Sequence, residues 1–216
     1  MESVEFLGRY RLTQSDACFK LGRDSVLLAR FCTLRPRWSV CDLGCGVGSL
    51  LLLLSQREEA LDRVGVELDP VAAGLARRNL SDNGLEGQVL TGDLRDRALL
   101  KGDRFQLVIA NPPYFRAGSG KSGGQARMDD TCPVDVLCRA AGRLAKTGGR
   151  FALVYRPERL AELFAALRGA RLEPKRLQLL SYGPSSPPYA VLVEAVKEGG
   201  PGLEILPVHY QTESAH

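Results

Sequence analysis

The stretch VCDLGCGVGSL, residues 40–50, decides the fold, because an apolar strand runs directly into three closely spaced glycines and then into a helix. Gly44, Gly46 and Gly48 allow the backbone to turn sharply there and to approach a ligand closely. A dinucleotide-binding fingerprint would need a further glycine where Ser49 stands, so a nicotinamide cofactor fits this pattern poorly. A tight turn that binds no ligand is the alternative interpretation.

From this turn onward, apolar runs typical of β-strands alternate with helical runs. Strand-like runs occupy residues 38–42, 63–68, 87–92, 105–110, 150–155, 175–182 and 189–196, and helical runs occupy residues 49–56, 70–83, 133–146 and 157–169. Such alternation predicts an α/β fold with a mostly parallel, seven-stranded sheet and helices on both of its faces. The last two strands are separated only by GPSSPP, so we expect the last strand to be antiparallel.

Length and composition are those of one globular domain: 216 residues, 44% hydrophobic and 25% charged. We predict a small N-terminal cap over residues 1–38 with a helix starting at Asp24, a main domain over 39–198 and a tail over 199–216. The start MESVEFLGRY lacks the features of a signal peptide, and the apolar run at 50–54 is too short to span a membrane. The six cysteines form no CxxC pair, which favours reduced cytoplasmic thiols without a metal.

Acidic residues follow the second and third predicted strands, at the edge of the sheet where the glycine turn lies. Glu67 is placed to accept hydrogen bonds from both hydroxyls of a cofactor ribose. Asp93 is placed to accept one from an adenine amino group, although a helix cap explains it equally well. Asp69, followed by proline, is better explained as the cap of its helix. A further set of residues, adjacent to the glycines and acids, is assigned to the same cofactor site: Asp42, Cys45, Leu68, Gly92 and Leu94.

This order of glycine turn, second-strand acid and third-strand acid resembles the class I S-adenosylmethionine-dependent methyltransferases. The resemblance covers residues 39 to about 197. It implies a Rossmann-like sheet of seven strands with the last one antiparallel, and S-adenosylmethionine as the cofactor.

The segment NPPY, which follows the fourth predicted strand, predicts transfer to an amino nitrogen. The lone pair of such a nitrogen is shared with a π-system, so catalysis has to draw electron density back onto it. The side-chain oxygen of Asn111 and the carbonyl of Pro112 are two suitable acceptors, and Pro113 helps to fix the backbone. Tyr114 is placed to stack on the flat group. A rigid turn without chemistry is the alternative.

More of the chain resembles the bacterial enzymes that methylate the N6 amino group of the adenosine beside the anticodon of a valine tRNA. The matching segments are FKLGRDSVLLARF, DLGCGVGSLLLLL, VGVELDP, LVIANPPYF, QAR, RFALVYRPERL and VLVEAVKEG. The resemblance implies that the first of these folds over the cofactor, with Lys20, Gly22 and Asp24 helping to bind it. Asp24 as a helix N-cap is an equally good interpretation. Two departures, Arg23 and the segment SYGPSSPPY, leave the RNA target open.

Charge is distributed unevenly along the chain, whose net charge is +4. Residues 139–176 contain ten basic and three acidic side chains, which indicates either contact with phosphates or solvated helix faces. A glycine-rich segment at 117–127, with Lys121 and Arg127, is either a loop that orders on phosphate or a simple connector.

The resemblance therefore implies an N-methyltransferase that acts on adenine in RNA, with tRNA as the expected partner and no membrane or metal. Release-factor glutamine, ribosomal guanine and DNA adenine methyltransferases share the NPPY chemistry and are the alternatives. A Rossmann-like RNA-binding protein without catalysis is the alternative outside enzymes. Monomer and dimer are equally compatible with the sequence.

Overall fold

A computed structural model describes residues 1–112 and 132–211 of the protein. The strands, in chain order, are β1 (Glu2–Leu7), β2 (Tyr10–Ser15), β3 (Ser39–Leu43), β4 (Asp62–Glu67), β5 (Gln88–Thr91), β6 (Phe105–Ala110), β7 (Ala145–Tyr155), β8 (Leu172–Ser181), β9 (Ala190–Lys197), β10 (Glu204–Ile205) and β11 (His209–Tyr210). The helices are α1 (Arg23–Phe31), α2 (Ser49–Arg57), α3 (Pro70–Asp82), α4 (Val134–Leu144) and α5 (Leu160–Gly169). A short 3-10 helix, Pro157–Arg159, precedes α5.

The seven predicted strands form one sheet in the order β5-β4-β3-β6-β7-β9-β8. All pairs from β5 to β7 are parallel, whereas β9 runs antiparallel to both β7 and β8. The predicted mostly parallel sheet with an antiparallel last strand is therefore confirmed. Two further strands of two residues each, β10 and β11, extend the sheet along the outer edge of β8.

Helices cover both faces of the sheet, as predicted. Successive residues of each strand point to opposite faces, so Leu107 and Ile109 join a core with α1, α2 and α3. Val108 and Ala110 join the core formed with α4 and α5 on the other face. Among the described residues, no helix is both long and apolar enough to cross a lipid bilayer.

The parallel strands place their carboxyl ends at one edge of the sheet. The glycine turn after β3, Glu67 at the end of β4, Asp93 after β5 and Asn111 after β6 all lie at this edge. We call it the catalytic edge below.

The N-terminal segment contains a β-hairpin that the sequence did not predict. Strands β1 and β2 pair antiparallel around Gly8, whose φ is 55°. The side chain of Asn79 in α3 holds this hairpin, because it accepts from Thr13 N at 2.9 Å and donates to Thr13 O at 2.9 Å. Its Nδ2 also donates to Val47 O in the glycine turn, at 2.9 Å.

Predicted helix ends differ in the structure at α5, which begins at Leu160 after the 3-10 helix rather than at residue 157, and at α1 and α4. Helix α1 has Gly22 at its N-cap, so the interpretation of Asp24 as the N-cap was wrong, and Asp24 lies in the first turn. Helix α4 ends at Leu144 rather than continuing to residue 146, because Ala145 already pairs with Phe105 of β6. The cap formed by Asp69 is confirmed, since its carboxylate accepts from Val71 N at 2.9 Å.

Candidate methyl-donor site

The glycine turn leaves its backbone open to a ligand. Gly44, Gly46 and Gly48 have φ values of 73°, 54° and 84°, a region that other residues rarely adopt. A Cβ atom on Gly44 or Gly46 would meet nothing within 4 Å, whereas one on Gly48 would lie 3.3 Å from the Cβ of Ala76 in α3. The first two glycines therefore face open space, and the third allows two helices to pack closely.

The residues beside the first two glycines face the interior. The side chain of Cys45 is buried, and a Cβ atom on Gly65 would lie only 2.7 Å from its Sγ. Burial raises the pKa of this thiol well above its usual value. Only the backbone of Cys45 can therefore contact a ligand in the turn.

Asp42, directly before the turn, has an unusual environment for a carboxylate. It is 1% exposed, and neither side-chain oxygen has a hydrogen-bond partner among the described residues. Burial is the larger cause and the nearby charge of Glu67 the smaller one, and together they raise the pKa of Asp42 to about 8. A buried acid without a partner beneath an open glycine turn suits a site that receives a positively charged or hydrogen-bonding ligand.

Glu67 connects the end of β4 with the glycine turn. Its Oε2 accepts from Gly46 N at 2.8 Å, and its Oε1 accepts from Asp69 N at 2.9 Å. Each carboxylate oxygen has a second lone pair, so the group retains acceptors for two ribose hydroxyls. The next residue, Leu68, is 61% exposed and offers an apolar surface beside that carboxylate.

Asp93, after β5, is held by Arg95. The backbone N of Arg95 donates to Oδ1 at 2.8 Å, and its guanidinium contacts both carboxylate oxygens. This contact holds the pKa of Asp93 below its usual range, so the carboxylate is ionised at neutral pH. Of its neighbours, Gly92 donates its backbone N–H to Glu67 O at 2.9 Å, and Leu94 packs, partly buried, against the core.

Asn111 follows β6 at the centre of the catalytic edge. Its Nδ2 donates to the hydroxyl oxygen of Ser25 in α1 at 2.8 Å, a partner that no sequence pattern predicts. Pro112 follows directly and is half-buried. Pro113, Tyr114 and the segment 117–127 lie outside the described residues.

The residues expected to fold over the cofactor lie in and before the first turn of α1. Lys20 is exposed, and its ammonium group is paired with Asp16 at 2.7 Å. Gly22 is the N-cap of α1, and Asp24 is half-buried in the first turn. Helix α1 thus brings this segment to Asn111 through Ser25.

The structure therefore brings Asp42, the glycine turn, Glu67 and Asn111 to one edge, as the sequence predicted. Sequence reasoning missed Ser25, Arg95 and Asn79, each of which orders one of the predicted elements. An isolated serine, arginine or asparagine within a helix or turn has no periodicity or motif that would single it out.

Comparison with known proteins shows the family and the fold. The model of the family called methyltransferase small domain matches residues 20–168. A tRNA1(Val) (adenine(37)-N6)-methyltransferase of Porphyromonas gingivalis is 30% identical over 198 residues, covering 86% of this chain and 78% of that protein. A relative with the same name from Dickeya chrysanthemi is 36% identical over 159 residues, covering 70% of this chain and 62% of that protein.

Solved structures show the same fold. A predicted O-methyltransferase of Agrobacterium tumefaciens superposes with a TM-score of 0.73 at 26% identity, covering 89% of each chain. A methyltransferase of Pyrococcus furiosus superposes with a TM-score of 0.67 at 17% identity, covering 88% of this chain and 90% of that one. The resemblance seen in the sequence is confirmed, and the chain belongs to the methyltransferase small domain family and is an enzyme of the methyltransferase class.

Proposed function

We propose that this protein transfers a methyl group from S-adenosylmethionine to the N6 amino group of an adenosine in tRNA, next to the anticodon. The observation that carries the proposal is the placement of Asn111. Its amide follows the central strand β6 beside the open glycine turn, and Nδ2 is already bonded to Ser25. The relatives named as tRNA adenine-N6 methyltransferases support the same substrate.

The residues at the catalytic edge fit S-adenosylmethionine. The backbone of Gly44 and Gly46 faces open space, Asp42 lacks a partner among the described residues, and Glu67 retains acceptors for ribose hydroxyls. We assign contact with the adenine ring to Leu68 and Asp93, and cover over the cofactor to Lys20, Gly22 and Asp24, as the resemblance implies. When bound, this cofactor supplies an electrophilic methyl group on a sulfonium.

The protein's own residues then act on the acceptor amino group. Because Nδ2 of Asn111 is bonded to Ser25, its Oδ1 is the atom left to accept from the amino group. The carbonyl of Pro112 is the second acceptor, and we assign the fixed backbone to Pro113 and stacking on the base to Tyr114. Two acceptors on the N–H bonds return electron density to nitrogen, which is catalysis by positioning and preorganised dipoles. The adenine must be unstacked to enter such a site.

We also propose that the N-terminal cap spans residues 1–38, the catalytic domain 39–198 and the tail 199–216. A tRNA-modifying role is consistent with a cytoplasmic location and with RNA as the partner.

The test is incubation of the purified protein with labelled S-adenosylmethionine and, separately, total tRNA, ribosomal RNA, DNA and a release factor. We expect label in tRNA that digests to N6-methyladenosine. Label in the release factor or in ribosomal guanine would overturn the proposed substrate. No label in any acceptor, together with no heat of cofactor binding by calorimetry, would favour an RNA-binding protein without catalysis.

The first prediction concerns Asn111→Ala. Loss of one preorganised acceptor should lower kcat about 10²- to 10³-fold. Affinity for S-adenosylmethionine, measured by calorimetry, should stay within about threefold, because the amide is assigned to the acceptor. Gln178→Ala is the control, since Gln178 lies on β8, away from Asn111, and its side-chain amide donates to Pro207 O at 3.0 Å. Loss of cofactor binding in Asn111→Ala would show that the role of Asn111 has been misassigned.

A further inference from the structure

We propose that Ser25 is a positioning residue that fixes the orientation of the Asn111 amide. This inference rests on the proposed function. Ser25 is 7% exposed and lies in the first turn of α1, where its backbone N donates to Gly22 O at 3.1 Å. Its hydroxyl oxygen accepts from Asn111 Nδ2 at 2.8 Å.

The direction of this hydrogen bond decides what Asn111 offers to the substrate. The two ends of an amide differ, since the oxygen accepts and the nitrogen donates. With Nδ2 bonded to Ser25, Oδ1 is available to the acceptor amino group. Without that bond the amide can turn over and present N–H groups to the N–H groups of the substrate, which is repulsive.

Helix α1 is well placed to hold this hydroxyl still. Leu27, Leu28 and Phe31 of the same helix are buried in the core that also receives Leu107 and Ile109 of β6. The serine and the asparagine are therefore anchored in one packed unit, although they are 86 positions apart in the chain. Such anchoring is what preorganisation of a catalytic group requires.

The second prediction follows from this role. Ser25→Ala should lower kcat for tRNA methylation about three- to tenfold, the effect of one hydrogen bond. The KM for tRNA and the affinity for S-adenosylmethionine should stay within about twofold. Ser25→Thr, which keeps the hydroxyl, should recover most of kcat. Ser25→Cys keeps a side chain of similar size with a weak acceptor, so it should fold normally and resemble Ser25→Ala in kcat.

Ser55→Ala is the matched control. Ser55 is another buried helical serine, and its hydroxyl donates to Leu51 O at 2.7 Å and accepts from Arg63 Nε at 2.6 Å. Its loss should lower the melting temperature without changing kcat. Full kcat in Ser25→Ala, or a kcat in Ser25→Cys equal to that of the wild type, would overturn the role of Ser25. Absence of methyl transfer by the wild-type protein would instead overturn the proposed function.

A different observation carries a second inference. We propose that Tyr182 and Tyr189 form a platform that stacks an unpaired base of the RNA other than the target adenine. This inference also rests on the proposed function. The two rings are stacked with their centroids 4.5 Å apart and their planes at 29°, and Tyr182 is 50% exposed. They flank the turn between β8 and β9, which is the segment that departs from the resembled family.

The position of the turn places the platform beside the active site. Tyr155 at the end of β7 pairs with Val191 of β9, and Leu180 of β8 pairs with Ala190. The turn therefore lies at the catalytic edge. It is separated from the end of β6 by β7, which lies between β6 and β9 in the sheet. A nucleotide close to one inserted at Asn111 would reach this turn.

The surroundings of the rings suit a base better than a bare phosphate. The two tyrosines line a groove of about 400 Å³ together with Pro187, Pro188, Arg156 and Glu158. One cation and one anion nearly cancel in charge, while apolar and aromatic surfaces favour stacking. Hydrogen bonds tie the turn to the end of β8, because the Ser181 hydroxyl contacts the carbonyls of Gly183 and Ser186 at 2.9 and 2.8 Å. A preorganised platform lowers the entropic cost of binding.

The third prediction is that Tyr182→Ala raises the KM for tRNA about 5- to 100-fold, as expected for one lost stacked base. The kcat at saturating tRNA and the affinity for S-adenosylmethionine should stay within about twofold. Tyr182→Trp should preserve the wild-type KM. The fluorescence of a single-stranded oligoribonucleotide that carries 2-aminopurine should be quenched when the wild type or Tyr182→Trp binds it, but not when Tyr182→Ala is added.

Phe6→Ala is the control for loss of an exposed ring. Phe6 is 74% exposed on the N-terminal hairpin, whose Gly8 packs against Gln56 near the end of α2, away from the catalytic edge. Its KM for tRNA should match the wild type. If the wild type methylates tRNA and Tyr182→Ala has the same KM for tRNA, the platform is overturned and the proposed function is not. Equal effects of Phe6→Ala and Tyr182→Ala would do the same.

Discussion

Both carboxylate oxygens of Asp42 are buried and lack a hydrogen-bond partner in the described part of the chain, beside a turn that leaves open space for a ligand. Burial raises its pKa to about 8 in the folded protein, whereas an unperturbed aspartate titrates near 3.8. At any pH between these two pKa values, Asp42 holds a proton in the folded state that it has released in the unfolded state. The contribution of Asp42 to the free energy of unfolding therefore decreases as the pH rises from about 4 to about 8.

The fourth prediction is that Asp42→Asn removes this pH dependence. The variant should have a free energy of unfolding about 3–4 kcal/mol above that of the wild type at pH 7.5 and nearly the same value at pH 4.5, because the asparagine has no proton to retain as the pH rises. Urea unfolding of both proteins at the two pH values measures the difference. Asp82→Asn, on the exposed last turn of α3, should change stability by less than about 0.5 kcal/mol at either pH. A gain in Asp42→Asn that is equal at both pH values would contradict this account.

Strands and helices with a strong periodic signal were predicted correctly from the sequence. The strands from β3 to β9 and the helices α2 to α5 lie where apolar periodicity places them, and the largest difference at an end is the five residues by which β7 starts earlier than predicted. Glycines and acids at strand ends also predicted the edge of the sheet at which Glu67 and Asn111 both lie, because parallel strands carry their ends to the same side.

Elements that depend on tertiary contacts could not be predicted in the same way. The strand β1 is exposed at all but its last residue, so it lacks the alternation of a half-buried strand. It pairs with β2, which the side chain of Asn79 holds. The two-residue strands β10 and β11 exist only because β8 offers them an edge. Likewise, the bond between Ser25 and Asn111 joins two distant segments, and no local pattern encodes it.

At the scale of the whole molecule, Glu194 connects the N-terminal segment to strands β7, β8 and β9 of the sheet. This residue of β9 is fully buried, and its carboxylate accepts from Thr33 N at 2.6 Å and from Thr33 Oγ1 at 2.9 Å, just after α1. Arg150 of β7 lies 2.8 Å away and Arg176 of β8 lies 3.4 Å away. Arg176 also donates to Phe31 O at the end of α1, at 3.1 Å. The helix that carries Ser25 is thus anchored by three strands.

The fifth prediction is that Glu194→Gln lowers the free energy of unfolding by about 2–4 kcal/mol. Two arginines then lose their buried partner, and the amide nitrogen cannot accept from Thr33. Urea unfolding at neutral pH measures the loss. Glu162→Gln is the matched control, since Glu162 pairs with Arg159 at 2.7 Å on the exposed surface of α5. This substitution should lower the free energy of unfolding by less than about 1 kcal/mol. Equal losses in the two variants would mean that the Glu194 cluster holds α1 no more strongly than a surface ion pair holds its helix.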